Sequence, residues 1–147
     1  MASLTFARPL SPEDEALTEL DRRYAEAFGL EPLLSRSSVL FYVRTGHAFV
    51  AVRAGEATGF VLAQAVWNGA RPTVYVNRLA VPDPEDTASR EALLEAVTKS
   101  AYDAGVYDLW VQVPEADAAA AAALGAKRYR ALPERLYART LGSRGQR

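Results

Sequence analysis

The sequence predicts an α/β fold built on one mixed, mostly antiparallel sheet with helices on both faces. Three observations carry this. The run from Thr73 to Val81 leads through a loop into a helical stripe at Leu93, Leu94 and Val97, then into the apolar run from Leu109 to Val113. Strand, helix, strand in that order sets two strands parallel with a crossover helix between them. Upstream, the runs His47–Arg53, Thr58–Trp67 and Thr73–Val81 are separated by short turns at Ala54-Gly55-Glu56 and Asn68-Gly69, which makes a three-stranded antiparallel meander. Before them, apolar residues recur at steps of three and four, as in helices.

The first element is a short strand, Leu4 to Arg8. Ser11-Pro12-Glu13-Asp14 then combines a capping hydroxyl, a first-turn proline and carboxylates matched to the helix dipole. The helix that starts there shows Leu17, Leu20, Tyr24, Ala27 and Phe28 on its apolar face and stops at Gly29. A second helix is expected from Pro32 to Gly46, burying Leu33, Leu34, Leu40 and Phe41. At Asn68-Gly69 both turn positions are expected to take positive φ. Asp83-Pro84-Glu85-Asp86 repeats the helix-start grammar, with Gly105 as the stop, and Pro114-Glu115-Ala116-Asp117 opens an alanine helix ending near Leu124-Gly125. Two more strands are expected near Lys127–Leu132 and Arg135–Leu141. The order is thus β-α-α-β-β-β-α-β-α-β-β in a single domain, residues 1–141. The tail 142–147 has nothing to bury and is expected to be mobile.

Composition narrows the function. A chain of 147 residues with 50% hydrophobic content suits one compact core. With 17 basic and 18 acidic residues the net charge is -1, which supplies no general field for nucleic acid or an anionic membrane. Cysteine is absent and histidine occurs once, so thiolate chemistry is excluded and no metal is expected. No apolar run approaches the roughly 20 residues that span a bilayer, and a cytoplasmic location is expected.

The element order, with Val76-Asn77-Arg78-Leu79-Ala80-Val81 before the loop, Leu93-Leu94-Glu95-Ala96-Val97 after it and Leu124-Gly125 near the end, resembles the GNAT family of acyl-CoA N-acyltransferases over nearly the whole chain. Gln64-Ala-Val-Trp67 and Ser100–Tyr107 suggest a branch with no assigned reaction. The resemblance implies acetyl-CoA or another acyl-CoA as substrate and a small-molecule or peptide amine as acceptor, and it leaves a homodimer open. It also implies a bulge in the strand from Thr73 to Val81. Main-chain amides at Arg78, Leu79, Ala80 and Val81 would receive the thioester, and those at Thr87, Ala88, Ser89 and Arg90 the pyrophosphate.

Two departures bear on activity. The family's pyrophosphate loop reads Gln/Arg-x-x-Gly-x-Gly/Ala, where glycines let the backbone approach phosphates without a Cβ in the way. Here Glu85, Ala88 and Arg90 stand at those positions, and Glu85 and Asp86 place carboxylates in the first turn. Arg90 offsets that charge if its guanidinium folds over the loop toward a phosphate. The family's general acid, a tyrosine four residues before the glycine matching Gly125, is replaced by Ala121. A GNAT-like domain that has lost acyl-CoA and serves as a ligand-binding or association module is therefore the alternative reading.

Among individual residues, His47 is a candidate base near neutral pH, although a strand-end histidine satisfied by backbone or water is the ordinary reading. Asn77 and Arg78 alternate along their strand and are expected on opposite faces, one reaching the cleft. Trp67, Trp110 and Tyr75 wall a pocket or pack a core, and core is expected for at least one tryptophan. Glu31 and Tyr42 are polar candidates, both expected in solvent. Lys127, Arg128, Arg130, Arg135 and Arg139, interleaved with Tyr129 and Tyr137, read as a solvated outer face; the neutral net charge argues against nucleic acid.

Overall fold

The computed structural model describes residues 4–142. Among the described residues, five strands, β1 (Thr5–Pro9), β2 (Phe49–Arg53), β3 (Glu56–Trp67), β4 (Pro72–Ala80) and β5 (Leu109–Val111), form one sheet in the order β1-β2-β3-β4-β5. The first three pairings are antiparallel, and β4 with β5 is parallel. Helices α1 (Leu17–Phe28) and α2 (Arg36–Thr45) cover one face; α3 (Thr87–Asp103) and α4 (Ala118–Ala126) cover the other.

Alternation along the strands sorts the core into two layers. Ala51, Val61, Ala63, Val74, Val76, Leu79 and Val81 pack against Leu93, Leu94, Val97 and Ala101 of α3. Val50, Val52, Phe60, Leu62 and Ala80 pack against Leu17, Tyr24, Val39 and Tyr42 from the opposite face. The expected order holds through α4, with α1 preceded by one 3-10 turn, Asp14–Ala16.

Three local expectations are corrected. The second helix begins at Arg36, not Pro32, because Ser35 closes a capping box with Ser38. That start sets a phase that buries Val39 and Tyr42 and leaves Leu40 and Phe41 exposed. Asn68-Gly69 lies in a longer turn: Asn68 Oδ1 accepts from the N–H groups of Ala70 and Arg71, and only Gly69 of the pair has positive φ. Residues 131–141 form no strand and are exposed throughout. The expectation for residues 143–147 lies outside the described region.

Candidate active site

The parallel pair β4–β5 is short. Val74, Tyr75 and Val76 are registered with Leu109, Trp110 and Val111, and the last main-chain bond runs from Gln112 N–H to Val76 O at 3.1 Å. Beyond it β4 continues to Ala80 with β3 on one side and, among the described residues, no strand on the other. The two strands part where β4 carries a bulge. Leu62 faces Arg78 and Ala63 faces Val76, so Asn77 is the inserted residue.

The insertion resets the alternation. Asn77 and Arg78 fall on the same face, toward α1 and α2, which corrects the expectation of opposite faces. Asn77 Oδ1 accepts from Gln64 Nε2 at 3.3 Å, and Arg78 Nη1 donates to Asp21 Oδ1 at 2.7 Å. Leu79 and Val81 enter the layer under α3, and Ala80 enters the other. With these side chains buried, what the end of β4 offers a ligand is main chain, the kind of donor that stabilises a developing oxyanion without reorganising.

The loop after β4 closes on itself. Asp86 is the N-cap of α3: Oδ1 accepts from Ser89 N–H at 3.0 Å and from Arg53 Nη2 at 2.5 Å, and Oδ2 accepts from Ser89 Oγ at 2.7 Å. Burial alone would raise its pKa, but these bonds and the Arg53 charge hold the carboxyl below the ordinary range. Arg90 is buried, and its guanidinium donates to the carbonyls of Val81, Asp83 and Asp86 at 2.8, 3.0 and 3.1 Å. It does fold over the loop, yet its bonds go to main chain of the loop itself. Thr87 N–H turns to Glu85 O, while the side chains of Thr87, Ala88 and Glu85 are exposed.

His47 sits elsewhere. Its Nδ1 is 2.5 Å from Ser100 Oγ, which in turn donates to Gly46 O. Ser100 lies about 20 Å along α3 from Thr87 at 1.5 Å per residue. Burial lowers the His47 pKa. The sheet thus gathers Asn77 to Val81 with Ser89 and Arg90 and leaves His47 apart. Tyr42 is buried and Glu31 exposed; Trp67 and Trp110 are both exposed, so neither tryptophan packs the core.

Sequence reading gave no part in the site to Asp21, Tyr24 or Asp117. Asp21 is fully buried and also accepts from Leu33 and Leu34 N–H at 2.6 and 2.8 Å. Tyr24 Oη donates to Asp117 Oδ2 at 2.6 Å, while Asp117 Oδ1 caps α4 through Ala120 N–H. Burial first, then the Asp117 carboxylate, pushes the Tyr24 phenol upward; the charges of Arg78 and Arg90 oppose this. The available signal was position: Asp21 falls four after Leu17, on the buried stripe. Among the described residues no group of three or more His, Cys, Asp or Glu could hold a metal, and no helix is long and apolar enough to cross a membrane.

A splayed parallel pair, a bulged inner strand and helices on both faces make up the fold of the GNAT acyltransferases. The chain belongs to the family described as "Protein of unknown function (DUF1999)", which matches residues 5–147. TTHA1254 from Thermus thermophilus is 38% identical, with 93% of this chain aligned to 98% of that one at a TM-score of 0.71. Two more distant structures share the fold. An aminoglycoside acetyltransferase from an uncultured soil metagenomic sample is 22% identical, with 97% and 100% of the chains aligned at 0.67. The aminoglycoside N-acetyltransferase AAC(6')-Iy, solved with CoA, is 16% identical, with 95% and 97% aligned at 0.68. No curated protein matches the sequence.

Proposed function

We propose that this protein is an acyl-CoA-dependent N-acyltransferase that moves an acyl group from a thioester to a small-molecule or peptide amine. The observation that carries the reading is the edge of β4 after the Asn77 bulge, beside which, among the described residues, no strand lies. An acyl thioester laid along that edge meets main-chain donors positioned by burial of Leu79, Ala80 and Val81 on both faces. The amine nitrogen bonds to the thioester carbonyl carbon, the carbon–sulfur bond breaks, and the proton that the nitrogen loses passes through water to the leaving thiolate, since Ala121 offers none. Asn77, the inserted residue of the bulge, orients the acceptor. His47, distant along α3, is assigned no contact with the thioester. The substrate suits a cytoplasmic location.

Asp86 favours a second reading, a GNAT-like domain without acyl-CoA that acts as a binding or association module. Its carboxylate already occupies the α3 N-terminus, where a diphosphate would meet repulsion of up to roughly 4 kcal/mol at 4 Å and an effective dielectric near 20. Isothermal titration with acetyl-CoA separates the two. Saturable binding, with release of free thiol when amines are added, supports the enzyme; no heat at millimolar ligand removes it.

A further inference from the structure

We propose that the groove between α3 and the outer strand β1, at the opposite edge of the sheet from β4 and β5, is a second binding site, and that it takes a small uncharged phenol whose hydroxyl donates to His47 Nε2. The sequence leaves this groove open. Ala92, Ala96 and Ser100 recur at every fourth residue of α3, which puts them on one side of the helix, next to the buried stripe of Leu93, Val97 and Ala101. Ala7 and Pro9 of β1 line the other wall, with Phe49 of β2 registered against Pro9. Small side chains on both walls do not fill the space between them, and a groove of about 980 Å³ remains.

His47 supplies the recognition. It lines the groove just before β2, yet it is only 7% exposed. Ser100 Oγ spends its one proton on Gly46 O at 2.9 Å, so the contact between Ser100 Oγ and His47 Nδ1 at 2.5 Å is donated by the ring N–H. That fixes the tautomer and leaves Nε2 as an acceptor. Among the described residues Nε2 has no hydrogen-bond partner, and it is not sealed in the core, where Thr73 Oγ1 is the buried side-chain atom left unbonded. Burial lowers the His47 pKa, so the ring stays neutral near pH 7 and keeps that lone pair. The charged residues on the rim are paired, Lys99 with Asp103 at 2.6 Å and Glu95 with Lys127 at 2.9 Å, which leaves no free charge for an ionic ligand. An apolar trough with an acceptor at its end fits a flat apolar body carrying one O–H. A phenol hydroxyl is more acidic than an aliphatic one and so the stronger donor. Its binding there needs no acyl-CoA.

Because the chain has a single histidine, long-range proton–nitrogen NMR reads the His47 ring nitrogens of the full-length protein without ambiguity. Titrating phenol near neutral pH should move the Nε2 resonance along a saturable curve. Toluene, the same ring without a donor, should bind about tenfold more weakly in the same titration, the worth of one hydrogen bond. Ala96→Leu extends a side chain into the groove and should abolish the phenol response while leaving the far-ultraviolet circular dichroism spectrum and the Nδ1 resonance unchanged. A Nε2 resonance that phenol does not move, toluene binding as tight as phenol's, or a phenol response that survives Ala96→Leu would overturn the proposal.

Discussion

Arg78 Nη1 and Asp21 Oδ1 lie 2.7 Å apart in an ion pair whose side chains are 9% and 0% exposed. The Asn77 bulge creates it, because unbroken alternation from Val76 through Asn77 would turn Arg78 toward α3. Two charges out of water are tolerable only when fully bonded, and Asp21 Oδ2 takes up Leu33 and Leu34 N–H at the entry to α2. Arg78→Met should cost about 3–5 kcal/mol in urea denaturation by leaving the carboxylate unpaired. The double substitution Arg78→Met with Asp21→Asn should recover part of that, since the Asn carbonyl still accepts from the α2 entry. A loss below about 1 kcal/mol in the single variant would mean that Asp21 is served by water.

The same pair marks the boundary of what the sequence discloses. Strands and helices up to α4 followed from period and punctuation, because the turn chemistry at Gly29, Gly46 and Asp86 acts locally. The side-chain roles did not follow. Asn77 is one residue in an unbroken β pattern, and only pairing with β3 shows that it is inserted, so the faces of Asn77 and Arg78 were misassigned. The run Val39-Leu-Phe-Tyr42 is apolar all round, and the Ser35 cap sets which residues turn inward. The strands expected after Lys127 have the right residues, but Lys127 and Tyr129 are held by the end of α4, and residues 131–141 lie exposed.

Acid should weaken the fold in two steps with separate origins. The His47 pKa is lowered by burial, so its contribution is complete above its unfolded value of about 6.5 and is lost as pH falls from there toward the folded value. The Asp86 pKa is also depressed, Arg53 and Ser89 prevailing over burial; its contribution is complete above about pH 4 and fades as pH falls through the folded pKa. Midpoint temperatures followed against pH should lose the upper step in His47→Gln and the lower one in Asp86→Asn. An unaltered profile in either variant would assign that step to other groups.

Asp86→Asn should also tighten acetyl-CoA binding. Asparagine remains a good N-cap, so α3 stays capped. The substitution removes a negative charge from the helix N-terminus and releases Arg53, whose guanidinium is bonded to Asp86 at 2.5 Å. A gain of about tenfold, equivalent to about 1.4 kcal/mol, is expected by titration at low salt, shrinking as salt screens the charge. An unchanged dissociation constant would show that the diphosphate lies away from this turn.

Ala121→Tyr restores a phenol one turn beyond Asp117, at an exposed site on α4. The helix should tolerate it at about 0.7 kcal/mol or less. If the thiolate leaves over β4, turnover should rise by about 10²-fold with little change in KM for acetyl-CoA. Unaltered thiol release would argue that proton transfer does not limit the reaction.

Gly59 tests how tightly the end of β4 is held. A Cβ there would sit 2.8 Å from both Ala80 O and Val81 Cγ2. Val81 can turn its side chain, but Ala80 O is main chain at the last residue of β4 and must move with the strand. Gly59→Ala should therefore cost about 1–3 kcal/mol, as overpacking of a filled core does. It should weaken acetyl-CoA binding as well, because the displaced residues are those proposed to hold the thioester. Gly125→Ala, where an added Cβ meets nothing within 4 Å, serves as the comparison and should be neutral or slightly stabilising. Denaturation midpoints and titration on both variants decide the matter: a Gly59→Ala protein that keeps wild-type stability but loses binding would place the strain at the site alone, whereas one that loses stability but binds normally would separate β4's end from the ligand.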